Sequence, residues 1–117
     1  MKSPRVSVVL PFYNAGRYIE RAVHSVVVQS YPHLELILVD DCSTDQSLER
    51  ATSLAKVHQA DLKVVSTEAN SGPSAARNKG IAAATGACIA FIDADDFWRP
   101  EQLARHIEPM GRQTGMT

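Results

Sequence analysis

The sequence predicts an α/β fold in which helices flank a mostly parallel, four-stranded sheet. Short runs of β-branched and apolar residues alternate with segments whose apolar residues recur at helical spacing. The connections are only a few residues long, and this combination is typical of parallel sheets, in which each helix returns the chain to the start of the next strand. The run at 34–41 is nearly all apolar before its final acids, as expected for a strand covered on both faces.

The first half of the chain supplies two strands and one helix to this prediction. Residues 5–10 form a β-branched run that Pro11 closes. Apolar residues recur at helical spacing over 15–29, and Pro32 stops the helix predicted there. The apolar run at 34–41 is the second predicted strand.

A second helix and a third strand follow. Ser43 and Gln46 stand at the spacing of a capping box, which predicts that a helix occupies 44–59. Four residues are expected to share one face of this helix: Leu48, Ala51, Ala55 and His58. The run at 62–67 is the third predicted strand.

The last third of the chain repeats the alternation. Gly72 and Pro73 indicate the start of a third helix, and Gly86 indicates its end. A fourth strand is predicted over 87–94, and a last helix begins at Pro100. We expect one domain over 1–110, followed by a frayed tail at 111–117 where no periodicity remains.

Composition excludes several classes of function. The net charge is −1, from 12 basic and 13 acidic side chains, whereas nucleic-acid and anionic-membrane binders carry a basic excess. Cys42 and Cys88 make neither a disulfide framework nor a metal-binding spacing, and the histidines share no metal spacing either. The phosphate-loop, dinucleotide-binding and nucleophile-elbow motifs are absent from the sequence.

The expected location also follows from the sequence. Pro4 and Pro11 interrupt the N-terminal apolar run, so it resembles neither a secretory signal nor a membrane span, and no other apolar run is long enough to span a bilayer. We therefore expect a cytoplasmic protein, held at the inner face of the membrane at most through partners.

Polar residues collect where the predicted strands end. Because the carboxyl ends of parallel strands share one edge of a sheet, these residues should meet in one cleft, where ligands bind in such folds. They are Pro11, Tyr13, Asn14, Asp40, Asp41, Glu68, Asn70, Ser71, Asp93, Asp95 and Asp96.

The convergence of carboxylates predicts a cation. Two carboxylates about 6 Å apart repel by roughly 3 kcal/mol at an effective dielectric constant near 20, and a divalent ion would remove that cost. Oxygen ligands favour Mg²⁺ or Mn²⁺, with water and phosphate completing the shell. Asp95 and Asp96 could instead lie in a solvated turn or cap a helix, although Pro100 at the first helical position would make Arg99 the N-cap.

Other candidates have simpler explanations beside the functional one. Asp40 and Asp41 could favour the start of the next helix. Tyr13 could pack under the first helix or offer its ring to a base. Arg77 and Lys79 could bind phosphates or belong to a solvated helix face.

Three stretches of the sequence together resemble the family 2 glycosyltransferases, whose nucleotide-sugar-dependent fold is called GT-A. They are "VSVVLPFYNAGRYIERAVHSVVVQSY", "LELILVDDCSTDQS" and "SGPSAARNKGIAAATGACIAFIDADD", and the resemblance extends from about Val6 to Leu103. It implies the Rossmann-like, nucleotide-binding half of a GT-A domain. It also implies a site for a nucleotide-diphosphate sugar, most often a UDP-sugar, with Mg²⁺ or Mn²⁺.

The resemblance also implies roles for individual residues. Pro11 and Tyr13 match positions that flank the base, and Asp41 matches the residue that hydrogen-bonds uracil. Asn70 and Arg77 match positions that reach the nucleotide. Asn14, which follows the first strand, is a further predicted nucleotide-binding residue. In the D-x-D region the resemblance implies that Asp93 contacts the ribose and that Asp95 is the metal ligand. Asp93 and Asp96, the neighbour of Asp95, are further candidate metal ligands.

The residues that match the family include none for the acceptor, the molecule that receives the sugar. Inverting members of the family need an Asp or Glu base, and family domains are about twice as long as this chain, at some 200 residues. The acids that follow Asp96 are Glu101 and Glu108. We therefore expect an N-terminal, donor-binding piece that lacks the acceptor half and is inactive alone, with apolar surface that could drive homodimerisation.

Two other interpretations remain open at this point. The chain could be a nucleotide-binding fragment that catalyses nothing. It could also be a phosphotransferase in which Asp93 is the nucleophile and Asp95 the acid or base, although that class usually carries its D-x-D on the first strand. The sugar and the acceptor do not follow from the sequence.

Overall fold

The strands lie in the order β3–β2–β1–β4 in one sheet, and every neighbouring pair is parallel. The computed structural model describes residues 4–105. Its strands are β1 (Val6–Phe12), β2 (Leu34–Asp40), β3 (Leu62–Ser66) and β4 (Cys88–Phe91), and its helices are α1 (Ile19–Val27), α2 (Ser47–Val57) and α3 (Pro73–Ala83). The predicted class, a four-stranded parallel sheet flanked by helices, is confirmed.

Helices cover both faces of the sheet because alternate strand residues point to opposite sides. On one face Val8 and Leu10 pack in a single core with residues of α1 and α2. On the other face Val9 and Val39 pack with Ala76 of α3. The central strands β1 and β2 are therefore mostly apolar, with Ser7, Glu35 and Asp40 as their polar residues, and the sequence predicted a nearly apolar strand at 34–41.

A glycine sets the close approach of α3 to the sheet. A Cβ atom added at Gly80 would overlap Cγ1 of Val9 and lie 3.0 Å from Cγ2 of Val39. The helix can reach the sheet at this distance only because position 80 has no side chain.

The strand order also determines where a crevice for a ligand can form along the sheet. The chain proceeds from β1 outward to β2 and β3, and then returns to the other side of β1 to form β4. Loops that leave neighbouring strands in opposite directions open a crevice at the carboxyl ends of those strands. The crevice is expected where β1 and β4 end.

Pro11 does not close the first strand, contrary to the prediction. β1 continues to Phe12, and Pro11 lies opposite Val39 of β2. On its other side β1 is paired only as far as Val9, which lies opposite Phe91. Pro11 thus has a neighbouring strand on one side alone, a position in which a missing N–H group is tolerated.

The predicted capping box of the second helix is wrong. Gln46 is the N-cap of α2 but makes no capping hydrogen bond, and the helix begins at Ser47 rather than Thr44. The Ser47 amide donates to Oδ1 of Asp45 at 2.9 Å. The Ser43 hydroxyl instead accepts a hydrogen bond from the Asn14 amide at 3.0 Å, so the β1–α1 loop uses the group that was assigned to the cap.

The four residues predicted to share one face of α2 differ in burial. Ala51 and Ala55 are fully buried, and Leu48 packs against the same core. His58 is the exposed C-cap of the helix, and its ring contacts His24 edge-on, with centroids 5.5 Å apart.

Other boundaries are shorter than predicted. α1 begins at Ile19, after a turn in which the Tyr18 amide donates to the Ala15 carbonyl at 2.8 Å. β4 ends at Phe91, two residues before the turn that begins at Asp93. In the last segment residues 102–105 are helical. The rest of the predicted last helix, with Glu108, and the tail at 111–117 lie outside the described residues.

A buried carboxylate, which sequence reasoning missed, joins the amino ends of the strands. Glu35 of β2 has no exposed side-chain area. It accepts hydrogen bonds from the Ser7 hydroxyl at 2.5 Å and from the Thr85 amide at 2.8 Å, and it pairs with Arg5 at 3.1 Å and Lys63 at 3.5 Å. Burial opposes its charge, but these hydrogen bonds lower the pKa of Glu35 to about 2.

The sheet face beside α3 leaves apolar surface exposed. The side chain of Phe91 on β4 is 39% exposed, and Ile81 of α3 is 41% exposed. The homodimer predicted from the sequence would need such a surface, and it stays a prediction. Across residues 4–105 none of the helices is both long enough and apolar enough to pass through a membrane.

Candidate functional site

A cleft of about 640 Å³ opens at the carboxyl ends of β1, β2 and β4. This volume lies in the range of sites that hold a small ligand. The cleft brings together all seven predicted nucleotide-binding residues and Asp95. The residues that line it are Pro11, Phe12, Tyr13, Asn14, Ala15, Tyr18, Asp41, Asn70, Gly72, Pro73, Ala76, Arg77, Asp93, Ala94 and Asp95.

Two tyrosines supply aromatic surface to this cleft. Tyr13 follows β1 directly, and its side chain is 46% exposed. Tyr18, which sequence reasoning missed, precedes α1 and is equally exposed. The signal for Tyr18 was available, because the helices of a parallel α/β fold begin at the same edge of the sheet as the strands end. An exposed ring there can stack on a planar ligand.

Asn14 holds two loops together at the rim of the cleft. Its backbone adopts φ of 48°, a left-handed conformation that asparagine tolerates better than most residues. Its side-chain oxygen accepts hydrogen bonds from the amides of Thr44 at 2.8 Å and Asp45 at 3.2 Å. The amide group of Asn14 thus ties the β1–α1 loop to the β2–α2 loop, and its predicted contact with a nucleotide stays a prediction.

Asp41 lies at the end of β2 and organises the loop between β3 and α3. Its Oδ1 accepts hydrogen bonds from the Thr67 hydroxyl at 2.7 Å and from the amide and hydroxyl of Ser71, each at 3.0 Å. Its Oδ2 accepts one from the Gly72 amide at 3.0 Å. The carboxylate is 4% exposed, so this single side chain fixes the start of α3 against β2.

The protonation state of Asp41 follows from these contacts. Burial alone would raise its pKa, but the hydrogen bonds from Ser71, Thr67 and Gly72 outweigh burial and hold the pKa of Asp41 below its ordinary value. The group is therefore a carboxylate at neutral pH. Oδ2, which accepts one hydrogen bond, retains room for a further donor.

Arg77 places a positive charge on the α3 side of the cleft. The helix begins at Pro73, after Gly72 in a left-handed conformation with φ of 93°. One turn later, Nη2 of Arg77 lies 3.6 Å from Oδ1 of Asp93. Both side chains are largely exposed, so this ion pair is weak and either member is available to a ligand.

The acids after β4 occupy a tight turn. The Asp96 amide donates to the Asp93 carbonyl at 3.0 Å, which places Ala94 and Asp95 at the two central positions. No hydrogen bond or ion pair to the Asp95 carboxylate is formed within 4–105. The Asp96 carboxylate accepts from the Phe97 amide at 2.8 Å, and Asp96 is not among the lining residues of the cleft.

The carboxylates of the cleft fit a hard divalent ion. Asp93 and Asp95 offer oxygen ligands, which Mg²⁺ and Mn²⁺ prefer. Over the part of the chain that the structure describes, no group of three or more His, Cys, Asp and Glu side chains could hold a metal by itself. An ion here would take one or two carboxylates and complete its shell with water and ligand oxygens, as Mg²⁺ does in phosphate sites.

Glu101, one of the two acids expected to follow the cleft, does not reach it. Its carboxylate lies 3.7 Å from Nη2 of Arg105, one helical turn away, and Glu101 is absent from the lining of the cleft. The other, Glu108, lies outside the described residues. Within residues 4–105, therefore, no acid that follows Asp96 lies in the lining of the cleft.

Comparison with known sequences gives a consistent assignment. Residues 7–116 match the family model of "Glycosyl transferase family 2". TuaG of Bacillus subtilis (strain 168), a glycosyltransferase whose name refers to teichuronic acid biosynthesis, is 47% identical over 107 residues, which cover 92% of this chain and 42% of TuaG. The succinoglycan biosynthesis protein ExoO of Rhizobium meliloti (strain 1021) is 38% identical over 107 residues, which cover 92% of this chain and 30% of ExoO. The chain thus spans less than half the length of these relatives.

Solved structures with the same fold carry nucleotide sugars. Residues 1–349 of S. aureus TarS in complex with UDP-GlcNAc superpose with a TM-score of 0.86 at 34% identity, over 92% of this chain and 31% of that one. The mannosyltransferase PcManGT of Pyrobaculum calidifontis, in complex with GDP-Man and Mn²⁺, superposes with a TM-score of 0.88 at 31% identity, over 94% of this chain and 33% of that one. This likeness confirms the predicted GT-A fold.

Proposed function

The chain belongs to glycosyl transferase family 2, and on this premise we propose that it is the donor-binding part of a metal-dependent, inverting glycosyltransferase that uses a UDP-sugar. The observation that carries the proposal is the cleft at the carboxyl edge of the sheet. There, aromatic rings, an ionised and buried carboxylate, a guanidinium group and two exposed carboxylates converge from separate loops. Those are the groups that a nucleoside, a diphosphate and a divalent ion require.

The nucleoside end of the donor is assigned to the β1 and β2 side of the cleft. The Tyr13 ring offers a stacking surface for the base. Oδ2 of Asp41 has room for one more hydrogen bond, and an N–H group of the base is the proposed donor. A nucleobase that presents only a hydrogen-bond acceptor at this position would be rejected, because a carboxylate is also an acceptor and the two cannot form a hydrogen bond.

The diphosphate end is assigned to the α3 and β4 side. Arg77 can donate to phosphate oxygens, and the N-terminus of α3 at Gly72 and Pro73 favours negative charge. Asp95, with Asp93 beside it, would hold the divalent ion. When bound, such an ion neutralises the charge that develops on the leaving diphosphate.

This chain accounts for donor binding only. The sugar acceptor, the transferred sugar and the catalytic base are part of what we propose for the whole protein. The curated relatives named above are more than twice as long as the segment that matches them, and the described part of this chain places no base in the cleft. We propose that donor binding takes place in this chain, in a cytoplasmic protein, and that transfer requires further chain. The alternative is a nucleotide-binding fragment without any catalytic role.

Titration calorimetry with UDP in the presence and absence of Mn²⁺ tests the donor site. We expect Mn²⁺ to tighten UDP binding to the wild-type chain. Asp95→Asn should lose this gain, by about tenfold or more in affinity, and should bind UDP without metal as the wild type does. Asp96→Asn is the matched control, since it removes the same charge one residue outside the lining of the cleft. Equal titrations for the wild type and Asp95→Asn would refute the metal assignment.

A second experiment tests which nucleotide the site binds best and, separately, whether the chain transfers sugar. GDP and CDP are titrated beside UDP, because the structural neighbours hold both UDP-GlcNAc and GDP-Man. Tighter binding of GDP than of UDP would overturn the UDP part of the proposal. Release of UDP from UDP-sugars, measured with and without candidate acceptors, then tests whether this chain alone transfers sugar. Robust transfer would contradict the proposal that this chain only binds the donor and that transfer requires further chain.

A further inference from the structure

Arg21 of α1 contacts the acidic turn from outside the cleft. Its Nη2 donates a hydrogen bond to the backbone carbonyl of Asp95 at 3.1 Å. Its Cζ lies 4.7 Å from the centroid of the Phe97 ring, within the range of a cation–π contact. Arg21 is not among the residues that line the cleft. It therefore touches the turn that carries the candidate metal ligand, and not the space where a ligand would lie.

The turn has few other restraints where Asp95 lies. One backbone hydrogen bond closes it, from the Asp96 amide to the Asp93 carbonyl, and Asp95 is exposed. The Asp96 amide belongs to the peptide plane that follows Asp95, so this bond holds the N–H side of that plane and leaves the Asp95 carbonyl on its other side without a partner in the turn. Arg21 holds that carbonyl, and the two bonds together restrain the plane and the direction in which the Asp95 side chain leaves the backbone.

The Phe97 ring keeps the guanidinium group of Arg21 in place. A long, exposed arginine on a helix samples many rotamers, and a single hydrogen bond to a carbonyl restricts it little. The ring of Phe97 is 53% exposed and lies against the guanidinium group. The guanidinium group lies over the ring and donates to the Asp95 carbonyl at the same time, which suits a planar group with five N–H donors.

Three further hydrogen bonds fix the far end of the same segment. The side chain of Gln29, just after α1, donates to the Arg99 carbonyl at 2.7 Å and accepts from the Leu103 amide at 3.0 Å. The Ser30 amide also donates to the Pro100 carbonyl at 2.8 Å. Residues 95–103 are thus attached at one end to α1, through Arg21 beside the cleft, and at the other end to the residues just after α1.

From these contacts we propose that Arg21 is a positioning residue for the metal ligand Asp95. It holds the turn in the geometry that binds the divalent ion and makes no contact with the donor. The inference rests on the proposed function, since it concerns the metal-dependent part of nucleotide binding. It predicts that loss of Arg21 lowers the gain in UDP affinity that Mn²⁺ provides, and leaves UDP binding without metal unchanged.

The first test needs no ligand. The sequence contains one tryptophan, Trp98, which packs partly buried against the core directly after Phe97. Its fluorescence therefore reports on the segment that Arg21 holds. Arg21→Ala should increase acrylamide quenching of Trp98 and speed hydrogen exchange of the Asp96 amide, while exchange in β4 stays as in the wild type. Unchanged quenching and exchange would show that Arg21 does not hold the turn.

The second test is a UDP titration with and without Mn²⁺ for the wild type, Arg21→Ala, Phe97→Leu and Arg17→Ala. Arg17→Ala is the matched control, because it removes an exposed arginine near the start of the same helix that has no hydrogen bond within residues 4–105. We expect Arg21→Ala to lose about tenfold of the Mn²⁺-dependent gain, Phe97→Leu to lose less, and Arg17→Ala to lose none.

The outcomes separate the possible failures. A full Mn²⁺ gain in Arg21→Ala overturns the inference and leaves the proposed donor site intact. Equal losses in Arg21→Ala and Arg17→Ala indicate an effect of net charge, and a loss of metal-free affinity in Arg21→Ala indicates direct contact with the donor; either result overturns the positioning role. A wild-type chain without any Mn²⁺ gain refutes the metal part of the proposed function, and the inference falls with it.

Discussion

Substitution of Asp41 by asparagine should destabilise the protein although the two side chains have nearly the same shape. The Asp41 carboxylate accepts hydrogen bonds through both oxygens, and its Oδ2 lies 3.0 Å from the Gly72 amide. In Asp41→Asn an NH₂ group replaces one oxygen. If the remaining oxygen keeps the three bonds now made to Oδ1, the NH₂ group faces the Gly72 N–H group, and two donors oppose each other.

The size of the effect can be estimated from this geometry. A hydrogen bond to a charged group contributes about 1.5–3 kcal/mol, and a buried donor left without a partner costs about 1–3 kcal/mol. We expect the free energy of unfolding to fall by about 3 kcal/mol, and the melting temperature to fall by roughly 12 °C for a domain of this size. The disrupted contact anchors the start of α3, so UDP affinity without metal should fall as well.

Urea denaturation and UDP titration of Asp41→Asn and Thr67→Val together test this reasoning. Thr67→Val removes the hydroxyl that donates to Oδ1 at 2.7 Å but leaves the carboxylate and its bond to Gly72. It should cost about 1 kcal/mol and keep metal-free UDP affinity close to the wild-type value. A free energy of unfolding for Asp41→Asn within about 0.5 kcal/mol of the wild type, the range of an ordinary surface change, would refute the reasoning.

Two further predictions concern the framework of the fold. The folded pKa of Glu35, about 2, lies below its ordinary value of 4.5, so the stability that this carboxylate contributes is complete above pH 4.5 and is lost as the pH falls toward 2. Glu35→Gln should lower the free energy of unfolding at pH 7 by roughly 3 kcal/mol, and the free energy of unfolding of this variant should fall less between pH 7 and pH 2 than that of the wild type. Urea denaturation across this pH range measures both effects. A variant whose free energy of unfolding falls as steeply in acid as that of the wild type would contradict the prediction. Gly80→Ala should destabilise by about 1–3 kcal/mol through overlap with Val9, despite the higher helix propensity of alanine, and Val9→Ala in the same chain should restore part of the loss; a more stable Gly80→Ala variant would show that α3 can move away from the sheet.

Periodicity and strand ends were sufficient to predict the fold and the place of the cleft. The parallel sheet follows from the alternation of strands with helices, and a parallel sheet brings every strand end to one edge. For that reason Tyr13, Asp41 and Asp93 could be assigned to one site although they are far apart in the sequence. The structure places all of them in the lining of the same cleft.

Two of the errors share a physical cause, which is that polar side chains have several possible partners. Ser43 has the spacing of a helix cap, yet its hydroxyl accepts from the Asn14 amide, which a different strand brings within reach. Glu35 looks like a polar interruption in an apolar strand, and only the fold shows that Ser7, Thr85 and Arg5 surround it. Hydrogen bonds between residues distant in sequence cannot be inferred from local spacing.

The electrostatic argument for a metal changes once the contacts are known. The sequence alone predicts uncompensated repulsion between the acids after β2 and β4, and a cation would remove that repulsion. In the structure Asp41 is stabilised by four hydrogen bonds, and Asp93 lies 3.6 Å from Arg77. Repulsion therefore does not by itself require an ion, because the chain already supplies Asp41 with hydrogen-bond donors and places a positive charge beside Asp93. Asp95 is the acid of the cleft whose carboxylate makes no hydrogen bond or ion pair within the described residues, while Arg21 holds its backbone carbonyl. The case for the metal thus depends on this one free carboxylate, which makes Asp95→Asn the decisive substitution.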